Sequence, residues 1–400
     1  MKCEVCGNYP LMPVINLGDH PIPDDLVKIG HTRECATYPV EVLFCNECKT
    51  AHQAVQVPKT VLFSPTYHYR AGQTQDVLDG MKQLVDSFEQ KEGSSVGRRV
   101  LDIGCNDGSL LNVFSDRGAV TYGIEPTDAC REAFAAGHTT YQKFFTPQLA
   151  SRFIDENGHP DLVTFSNVFA HIENLPELLL ACATLRGTHT RFLIENHYLG
   201  SVIERCQFDT FYHEHPRTYS YTSFVAIADT LGMHVDWVEF PKRYGGNIRV
   251  MISPGAGEGD PAVMKREENF DLDLRILDRK VKKWQDNKRR QLIGLYQQHG
   301  AIAAAAFPGR AAIILKLLGL NEKHISAIYE KPGSRKIGHY APGTQIPILS
   351  DEEYGLQMSV EDTPLLNFAW HIPAEIEARW RSLGFQGKII QAVDPDDFKD

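Results

Sequence analysis

Apolar residues recur with two different spacings in the middle of the chain, and together they predict an α/β fold. Between Gln73 and about Lys91 they follow helical spacing, which predicts one amphipathic helix. Short and almost wholly apolar segments that precede turns predict the buried strands of a parallel sheet. Ligands of such sheets bind at the carboxyl ends of the strands, where we therefore expect a site. The predicted strands are Val100–Ile103, Val120–Glu125, Leu162–Val168 and Arg191–Glu195.

The C-terminal third predicts a second α/β unit. Glycine, proline and acidic residues in Pro254–Pro261 mark a boundary. Beyond it, charged residues interspersed with apolar ones predict one long helix from Val263 to about Gln298. A strand, a turn and a helix follow, as in a Rossmann-like unit, at Ile302–Phe307, Pro308–Arg310 and Ala311–Leu318. Further strands are predicted at Ile325–Tyr329, Ile346–Leu349, Leu365–Ala369 and Lys388–Val393, with a helix at Ala374–Leu383.

Length and charge exclude several classes of protein. A chain of 400 residues implies more than one hydrophobic core. Its net charge of −10 gives no electrostatic drive towards nucleic acid. No apolar run approaches the ~20 residues of a membrane helix, and the N-terminus has no apolar secretory stretch. We therefore expect a cytoplasmic protein with no nucleic-acid or membrane partner.

Two Cys-x2-Cys pairs predict a metal site near the N-terminus. Each pair places two thiolates on one tight turn, and two such turns complete a tetrahedral Zn²⁺ site. Four sulfur ligands leave no open position for water or substrate, so the expected role is structural. The alternative is that these are free thiols of a small β-domain. The predicted ligands are Cys3, Cys6, Cys45 and Cys48.

The turn after the first buried strand and the acid after the second predict a nucleoside-containing cofactor. A carboxylate in that position can accept both hydroxyls of a ribose. The turn lacks the third glycine of dinucleotide-binding proteins, which disfavours the alternative of a nicotinamide cofactor. With the segment Ser166–His171, these features resemble class I S-adenosylmethionine-dependent methyltransferases. The resemblance implies S-adenosylmethionine as cofactor, held by Asp102, Gly104, Asn106, Asp107, Glu125 and Asn167.

The segment Tyr212–Tyr219 concentrates two imidazoles, a carboxylate, two phenols and a guanidinium. A histidine can remove a proton near neutral pH, and a phenol can donate a hydrogen bond to a developing enolate oxygen. These are the groups needed to abstract a proton beside a carbonyl. A catalytic zinc site is an alternative, but His213 and His215 lack the spacing of HExxH. A polar surface loop is the other alternative. His197 follows a predicted strand and is expected at the same edge.

Further motifs occur in the same order as these and narrow the resemblance. They are Tyr-x-Tyr at Tyr67–Tyr69, Gly-Gly-x-x-Arg at Gly245–Arg249 and Pro-Gly-Thr-x-Ile-Pro-Ile at Pro342–Ile348. Over nearly its whole length the chain resembles the sugar C-methyltransferases that act on nucleotide-linked 4-keto-deoxysugars. The resemblance implies a zinc-binding lobe, a methyltransferase domain and a C-terminal α/β domain. We expect these at residues 1–70, 71–258 and 259–400.

The same resemblance implies roles for single residues. His215 is the base, and Tyr212 contacts the keto oxygen. Glu214 positions the base or binds the sugar. His197, with either Tyr67 or Tyr69, lines the pocket. The cations Arg310, Lys316 and Lys336 are candidates for binding a diphosphate, with ordinary surface cations as the alternative. The other substrate candidates are His213, Tyr219, Tyr244, Asn247 and Arg249.

Three departures from the family pattern touch substrate positions rather than the base. Tyr244 stands where the family often has histidine before its paired glycines. Arg70–Gly72 replaces the serines that often follow Tyr-x-Tyr. Ala306–Arg310 stands where the family usually has a glycine-lysine turn.

The sequence thus predicts an S-adenosylmethionine-dependent C-methyltransferase of a nucleotide-linked keto-sugar, acting as a monomer or a small homo-oligomer. O- or N-methyl transfer is the alternative within enzymes, since it needs a base but no carbonyl. A zinc-ribbon protein that binds nucleic acid is a different class, which the acidic charge disfavours. A non-catalytic scaffold is the remaining alternative.

Overall fold

The computed structural model describes residues 1–63, 67, 69–355 and 363–399. The chain divides into two compact units, each assembled from three separate segments. The first unit is formed by Met1–Met12, Leu43–Val202 and Glu214–Asp271. The second unit is formed by Pro13–Val42, Ile203–His213 and Leu272–Asp400.

Strands of the described residues are numbered here in chain order. They are β1 (Met12–Pro21), β2 (Val27–Lys28), β3 (Thr37–Cys45), β4 (Thr50–Gln53), β5 (Arg99–Ile103), β6 (Val120–Ile124), β7 (Thr139–Tyr141), β8 (Leu162–Ser166), β9 (Arg191–His197), β10 (Arg217–Thr218), β11 (Met233–Glu239), β12 (Asn247–Pro254), β13 (Ile302–Ala305), β14 (Ile325–Glu330), β15 (His339–Tyr340), β16 (Pro347–Ser350), β17 (Leu365–Asn367) and β18 (Ile389–Gln391).

The α-helices are numbered in the same way. They are α1 (Lys59–Leu62), α2 (Gln75–Glu92), α3 (Ser109–Asp116), α4 (Cys130–Ala135), α5 (Pro147–Asn157), α6 (Leu175–Leu185), α7 (Leu199–Glu204), α8 (Tyr221–Thr230), α9 (Pro261–Arg266), α10 (Phe270–His299), α11 (Ala311–Leu318), α12 (Asp351–Gly355) and α13 (Pro373–Ser382). Among the described residues, none of these helices is both long and apolar enough to cross a membrane.

The first unit is built on a seven-stranded sheet in the order β11-β12-β9-β8-β5-β6-β7. The strands from β9 to β7 pair in parallel, whereas β12 is antiparallel to both of its neighbours. All four strands predicted from the apolar segments are present, and the helix predicted from Gln73 is α2. The predicted α/β fold with a parallel sheet is therefore confirmed for this unit.

Helices cover both faces of this sheet because successive strand residues point to opposite sides. Val100 packs with α2 and α3 in one hydrophobic cluster, where the rings of Phe88 and Phe114 meet edge to face at 6.1 Å. Leu101 packs in the opposite cluster, with α5, α6 and α8. Burial of both faces fixes the register, so the carboxyl ends of β5, β6, β8 and β9 meet at one edge.

The second unit contains another seven-stranded sheet, in the order β18-β17-β13-β14-β16-β15-β2. Its five strands from β18 to β16 are parallel, and the two-residue strands β15 and β2 extend the sheet in antiparallel pairing. The predicted strand, turn and helix after residue 301 are β13, a turn and α11. The second Rossmann-like unit predicted for the C-terminal third is therefore confirmed.

One predicted helix is wrong. The expected single helix from Val263 to about Gln298 is two helices, α9 and α10, separated at Glu267. The Glu267 side chain is fully buried and accepts hydrogen bonds from the amides of Tyr221 and Thr222 at 2.7 and 2.9 Å. It also accepts one from the Tyr198 hydroxyl. These bonds cap α8, and a straight helix would carry the carboxylate away from that end.

Candidate functional site

Gly104 follows β5 at the carboxyl edge of the first sheet and is constrained in two ways. Its φ is +71°, in the left-handed region that favours glycine. A Cβ atom placed on it would lie 2.6 Å from Cγ1 of Val168. The turn after β5 therefore lies directly against the segment after β8.

Replacement of Gly104 by alanine is expected to destabilise the turn and to weaken binding of S-adenosylmethionine. The left-handed conformation alone costs a non-glycine residue about 1–2 kcal/mol, and the clash with Val168 adds to it. Gly97→Ala is the matched control, since Gly97 has φ +72° and no atom within 4 Å of its Cβ position. Thermal unfolding and calorimetric titration are the measurements. Equal losses in both variants would contradict a role for the Val168 contact.

Asn106 and Asp107 fasten the chain segment before α2 onto this turn. The Asn106 Oδ1 accepts the amide of Ala71 at 3.0 Å, and the Asp107 Oδ2 accepts the amide of Gly72 at 2.7 Å. A Cβ on Gly72 would lie 3.1 Å from Asp107 Oδ2, so small residues suit this stretch. This explains part of the departure at Arg70–Gly72 in local terms. Both candidate cofactor residues thus also order the segment that carries Tyr67 and Tyr69.

Glu125 follows β6 with its carboxylate already oriented. Its Oε1 accepts the amide of Thr127 at 2.8 Å and its Oε2 accepts the amide of Asn106 at 3.2 Å. A carboxylate has about four acceptor positions, so two remain for ribose hydroxyls. Asp102 lies within β5, where burial raises its pKa to about 7 and the Thr164 hydroxyl donates to it at 2.6 Å. The acid, the small turn residues and the amide side chain suit S-adenosylmethionine.

Arg70 organises the Tyr-x-Tyr segment from beneath. Its guanidinium is buried, pairs with Glu132 at 2.7 Å and donates to the carbonyls of Tyr67 and Tyr69, both at 2.9 Å. The Tyr67 hydroxyl donates to Oε2 of Glu214 at 3.2 Å. The Tyr69 side chain is 44% exposed. Tyr67 therefore contacts the histidine-containing motif.

Three imidazoles gather at this edge. The ring centroids of His171 and His215 are 4.7 Å apart, and those of His197 and His215 are 5.4 Å apart. His215 is 4% exposed and Glu214 is 5% exposed. The arrangement brings a buried imidazole, a carboxylate and the Tyr67 phenol together above the strand ends. Such a group can move a proton and hold a small polar ligand.

His171 is a member of this cluster that the sequence analysis did not assign. Desolvation lowers its pKa to about 4, and hydrogen bonds to the backbone of Glu214 and Asn167 oppose that shift. Its ring also meets Phe63 edge to face at 5.7 Å. Its place four residues after Asn167, at the end of a predicted strand, is the signal that could have indicated it.

Glu195, within β9, was also not assigned a role from the sequence, and its side chain is fully buried. It accepts hydrogen bonds from Arg249 Nε at 2.7 Å and from Asn247 Nδ2 at 2.9 Å, and it pairs with Arg243 at 3.3 Å. Asn247 Nδ2 also lies 3.1 Å from Oδ1 of Asn167. Glu195 thereby connects β12 to a candidate cofactor residue. An acid inside an otherwise apolar strand is the signal that could have indicated it.

Two further candidates of the first unit are buried in its interior. Tyr219 is fully buried, receives a hydrogen bond from Arg217 Nε at 2.8 Å and packs against Phe169. Arg249 is 3% exposed and pairs with Glu239 as well as with Glu195. In this structure both side chains are bonded within the protein. The side chain of Tyr244 lies outside the described part of the structure.

Tyr212 and His213 belong to the second unit. The ring of His213 donates from Nε2 to the Tyr38 carbonyl at 3.0 Å, and burial lowers its pKa. A Cβ on Gly309 would lie 3.9 Å from the Tyr212 ring. Within this unit, Tyr212 therefore lies beside the turn between β13 and α11.

Arg310 and Lys336 flank the same turn and are bonded within the chain. Arg310 is 8% exposed, pairs with Asp209 at 3.2 Å and lies over the Trp370 ring. Lys336 donates from Nζ to the Phe307 carbonyl at 2.7 Å. Asp209 therefore offsets the charge of Arg310, whereas Lys316 on α11 is exposed.

The four N-terminal thiols converge as the spacing predicted, and their ligand atoms all lie within 4.8 Å of one another. Three of the four cysteines are buried, and each is free of a disulfide. The Sγ atoms of Cys3 and Cys48 are 3.5 Å apart, as are those of Cys6 and Cys45. Four thiols at this separation suit tetrahedral zinc and leave no position for a substrate.

Three family models match successive parts of the chain. A zinc binding domain matches residues 3–63, a methyltransferase domain matches residues 69–236, and a C-methyltransferase C-terminal domain matches residues 242–393. The first contains the four clustered cysteines. The second contains the turn after β5 and the histidine cluster.

Curated relatives are methyltransferases. C-methyltransferase NovU of Streptomyces niveus is 26% identical over 94% of this chain and 91% of its own length. The ubiquinone biosynthesis O-methyltransferase of Acinetobacter baylyi is 28% identical, over 29% of this chain and 53% of its own length. Similarity to the first relative thus includes the zinc-binding and C-terminal parts.

Solved structures resemble only part of the chain. Magnesium protoporphyrin IX methyltransferase of Synechocystis, with bound S-adenosylhomocysteine, is 18% identical and covers 45% of this chain and 86% of its own. Its TM-score is 0.35, which is too low to support a conclusion about this chain. The consecutive family models and the near full-length relative carry the assignment: the chain is an S-adenosylmethionine-dependent methyltransferase that is similar over nearly its whole length to a C-methyltransferase, and its Cys3, Cys6, Cys45 and Cys48 cluster as a zinc site requires.

Proposed function

We propose that this methyltransferase adds a methyl group to the carbon beside the ketone of a nucleotide-linked 4-keto-deoxysugar, with His215 as the base. The observation that carries the proposal is the cluster of His171, His197 and His215 at the carboxyl edge of the first sheet. The cofactor candidate Asn167 lies at the same edge, since it comes shortly before the turn that ends at His171. A carbanion needs both a base and an electrophile in one place, and in this proposal both are at this edge.

His171 favours proton uptake by His215. Its lowered pKa, about 4, keeps its ring uncharged at neutral pH. An uncharged neighbour 4.7 Å away does not repel the imidazolium that forms when His215 takes a proton. The adjacent carboxylate of Glu214 stabilises that imidazolium, as a nearby opposite charge does. The proton of the substrate therefore passes to His215 and stays there while the enolate exists.

Tyr67 and Tyr212 are the two phenols assigned to the substrate. Tyr67 donates to the carboxylate of Glu214, the residue that directly precedes the proposed base. Tyr212 is assigned to the keto oxygen, where a donor lowers the energy of an enolate. S-adenosylmethionine, when bound, supplies an electrophilic methyl group to the nucleophilic carbon. Asn106, Glu125 and Asn167 hold it at the strand ends in this proposal.

The nucleotide part of the substrate is assigned to the C-terminal domain. The family resemblance supports this assignment. Lys316 and Lys336 lie in the same unit as Tyr212, which is beside the turn between β13 and α11. Arg310 contributes through its contacts with Asp209 and Trp370 rather than as an unpaired charge. Cations at such a turn suit a diphosphate.

Solvent exchange tests the carbanion directly. Incubation of the enzyme with nucleotide-linked 4-keto-deoxysugars in D₂O, without methyl donor, is expected to introduce deuterium at the carbon beside the ketone. Mass spectrometry measures the gain of one mass unit, and the His215→Asn variant is the control that should show no gain. Addition of S-adenosylmethionine should then replace that deuterium with a methyl group and give a product 14 mass units heavier than the unlabelled substrate.

The outcomes separate the proposal from heteroatom methylation. A methylated product whose new group lies on oxygen or nitrogen, with no deuterium gained at carbon, would support O- or N-methyl transfer instead. The O-methyltransferase relative matches only 29% of this chain and so does not favour that result. Absence of any methylated product from keto-sugar nucleotides would contradict the substrate class.

A further inference from the structure

Arg217 joins three parts of the first unit from within β10. Its side chain is fully buried and lies two residues after His215. Nη1 donates to the carboxylate of Glu4, and Nη2 donates to the carbonyl of Ile172. Nε donates to the Tyr219 hydroxyl at 2.8 Å. One planar group with its donors in a fixed fork therefore sets the spacing of three acceptors.

The acceptor at Ile172 matters because it directly follows His171. The backbone that carries His171 is thus bonded to the side chain of Arg217, and the backbone of Arg217 continues two residues back to His215. The ring centroids of these two histidines are 4.7 Å apart. A shift of the guanidinium would change the separation of the two rings, since each lies within two residues of one end of this connection.

The acceptor at Glu4 lies between two of the zinc ligands. Glu4 separates Cys3 from Cys6, and its carboxylate is also bonded to Gln56 Nε2 at 2.9 Å. The carboxylate position therefore depends on the path of the chain between the two thiols. A displacement of that turn would be transmitted to Arg217 through the partly buried ion pair.

A second connection runs through the backbone. Strand β4 follows Cys48 and pairs with β10, so that His52 lies opposite Arg217. The amide of Gln53 donates to the carbonyl of Pro216 at 2.9 Å, next to His215. The Cys48 carbonyl accepts the hydroxyl of Ser223 at 3.0 Å. Both cysteine pairs of the zinc site are thereby tied to the segment that follows the proposed base.

We propose that Arg217 is a positioning residue that couples the four-cysteine zinc site to the placement of His215 and His171. The inference rests on the proposed role of His215. Arg217 itself touches no substrate. It sets the distance between the two imidazoles. Its own position is fixed by the turn at Cys3–Cys6. The zinc site then contributes to the rate through geometry, although no thiol takes part in the chemistry.

Arg217→Lys tests the coupling because it keeps the charge but cannot satisfy three acceptors from one ammonium group. We expect kcat to fall about 100-fold, the size of effect that a 1 Å misplacement of a reacting group produces. KM, the affinity for S-adenosylmethionine and the zinc content should stay within twofold of wild type. The ring carbon resonances of His171 and His215, assigned by NMR, should both shift. Unchanged resonances with unchanged kcat would overturn the inference.

Two further variants keep the test decisive. If Arg217→Lys does not fold, Glu4→Gln replaces it, since it leaves the bonds of Arg217 to Ile172 and Tyr219 in place. Smaller shifts of the same two resonances support the coupling, and no shift overturns it. Leu185→Ala controls for lost stability, because Leu185 is buried at the amino edge of the sheet. Identical shifts in that variant would also overturn the inference.

The result is separable from the proposed function. Should His215→Asn retain turnover, the base assignment fails whatever Arg217→Lys shows. Shifted histidine resonances in Arg217→Lys would still support the mechanical coupling in that case. Full turnover loss in His215→Asn with unaffected rings in Arg217→Lys would leave the base and remove the coupling.

Discussion

Replacement of His215 by asparagine is expected to lower turnover by a factor of about 10² to 10⁴ while S-adenosylmethionine still binds. That range is the usual contribution of a positioned general base. Asparagine is close to histidine in size and can form hydrogen bonds, but it takes up no proton near neutral pH. The measurement is the single-turnover rate with a saturating keto-sugar nucleotide, together with calorimetric titration of the methyl donor. The fall should appear in kcat with little change in KM, because the proton moves only in the reaction step.

His159→Asn is the matched control for that variant. His159 is an exposed histidine of the same unit, near the amino edge of the sheet, where its ring bonds to the Leu185 carbonyl at 3.0 Å. It should leave turnover unchanged. Near-wild-type turnover in His215→Asn would remove His215 as the base and leave the fold assignment intact.

Loss of the Glu195 charge is the second large effect, on stability rather than on rate. Glu195→Gln is expected to lower the free energy of unfolding by about 3–5 kcal/mol, the usual cost of breaking a buried ion pair from one side. The carboxylate is fully buried between Arg243 and Arg249, and of its ion pairs in the described part of the chain Arg249 keeps the one with Glu239 afterwards. Urea unfolding followed by circular dichroism measures the change.

Glu156→Gln provides the comparison for Glu195→Gln. Glu156 pairs with Arg152 at 2.7 Å on the exposed surface of α5, where solvent screens the pair and its contribution to stability is small. A similar small loss in Glu195→Gln would show that solvent reaches the buried pair. The double variant Glu195→Gln/Arg249→Met should recover part of the loss, because one unpaired charge is removed.

The sheet of the first unit was predictable because each of its central strands is a continuous apolar segment. β11 and β12 were not predicted. β11 is only half-buried at most of its positions, and β12 carries Asn247 and Arg249 within an otherwise apolar run. β12 pairs with β9, which is remote in sequence, and the spacing of apolar residues does not reveal which strands pair. The break at Glu267 was missed for a similar reason, since the amides that hold it belong to α8.

The candidate site divides in the same way between local and remote signals. Each Cys-x2-Cys pair, the turn after β5 and the motif at Tyr212–His215 is a short stretch of sequence, so a few neighbouring residues indicate its chemistry. His171 and Glu195 acquire their roles only when four strand ends meet at one edge. Arg217 acquires its role from Glu4, which is more than 200 positions away. Such contacts depend on tertiary packing, which single-residue preferences do not encode.

The assembly of each unit from three separated segments has a consequence for synthesis on the ribosome. Residues 13–42 emerge early, yet the strands that complete their unit belong to the segment from Leu272 onwards. That stretch therefore waits for most of the polypeptide to be translated, whereas the cysteine turns can close as soon as Cys48 has emerged. Loop closure over such separations slows folding. Binding of a metal ion by the four cysteines at this stage would order the N-terminal part of the nascent chain while the rest is translated.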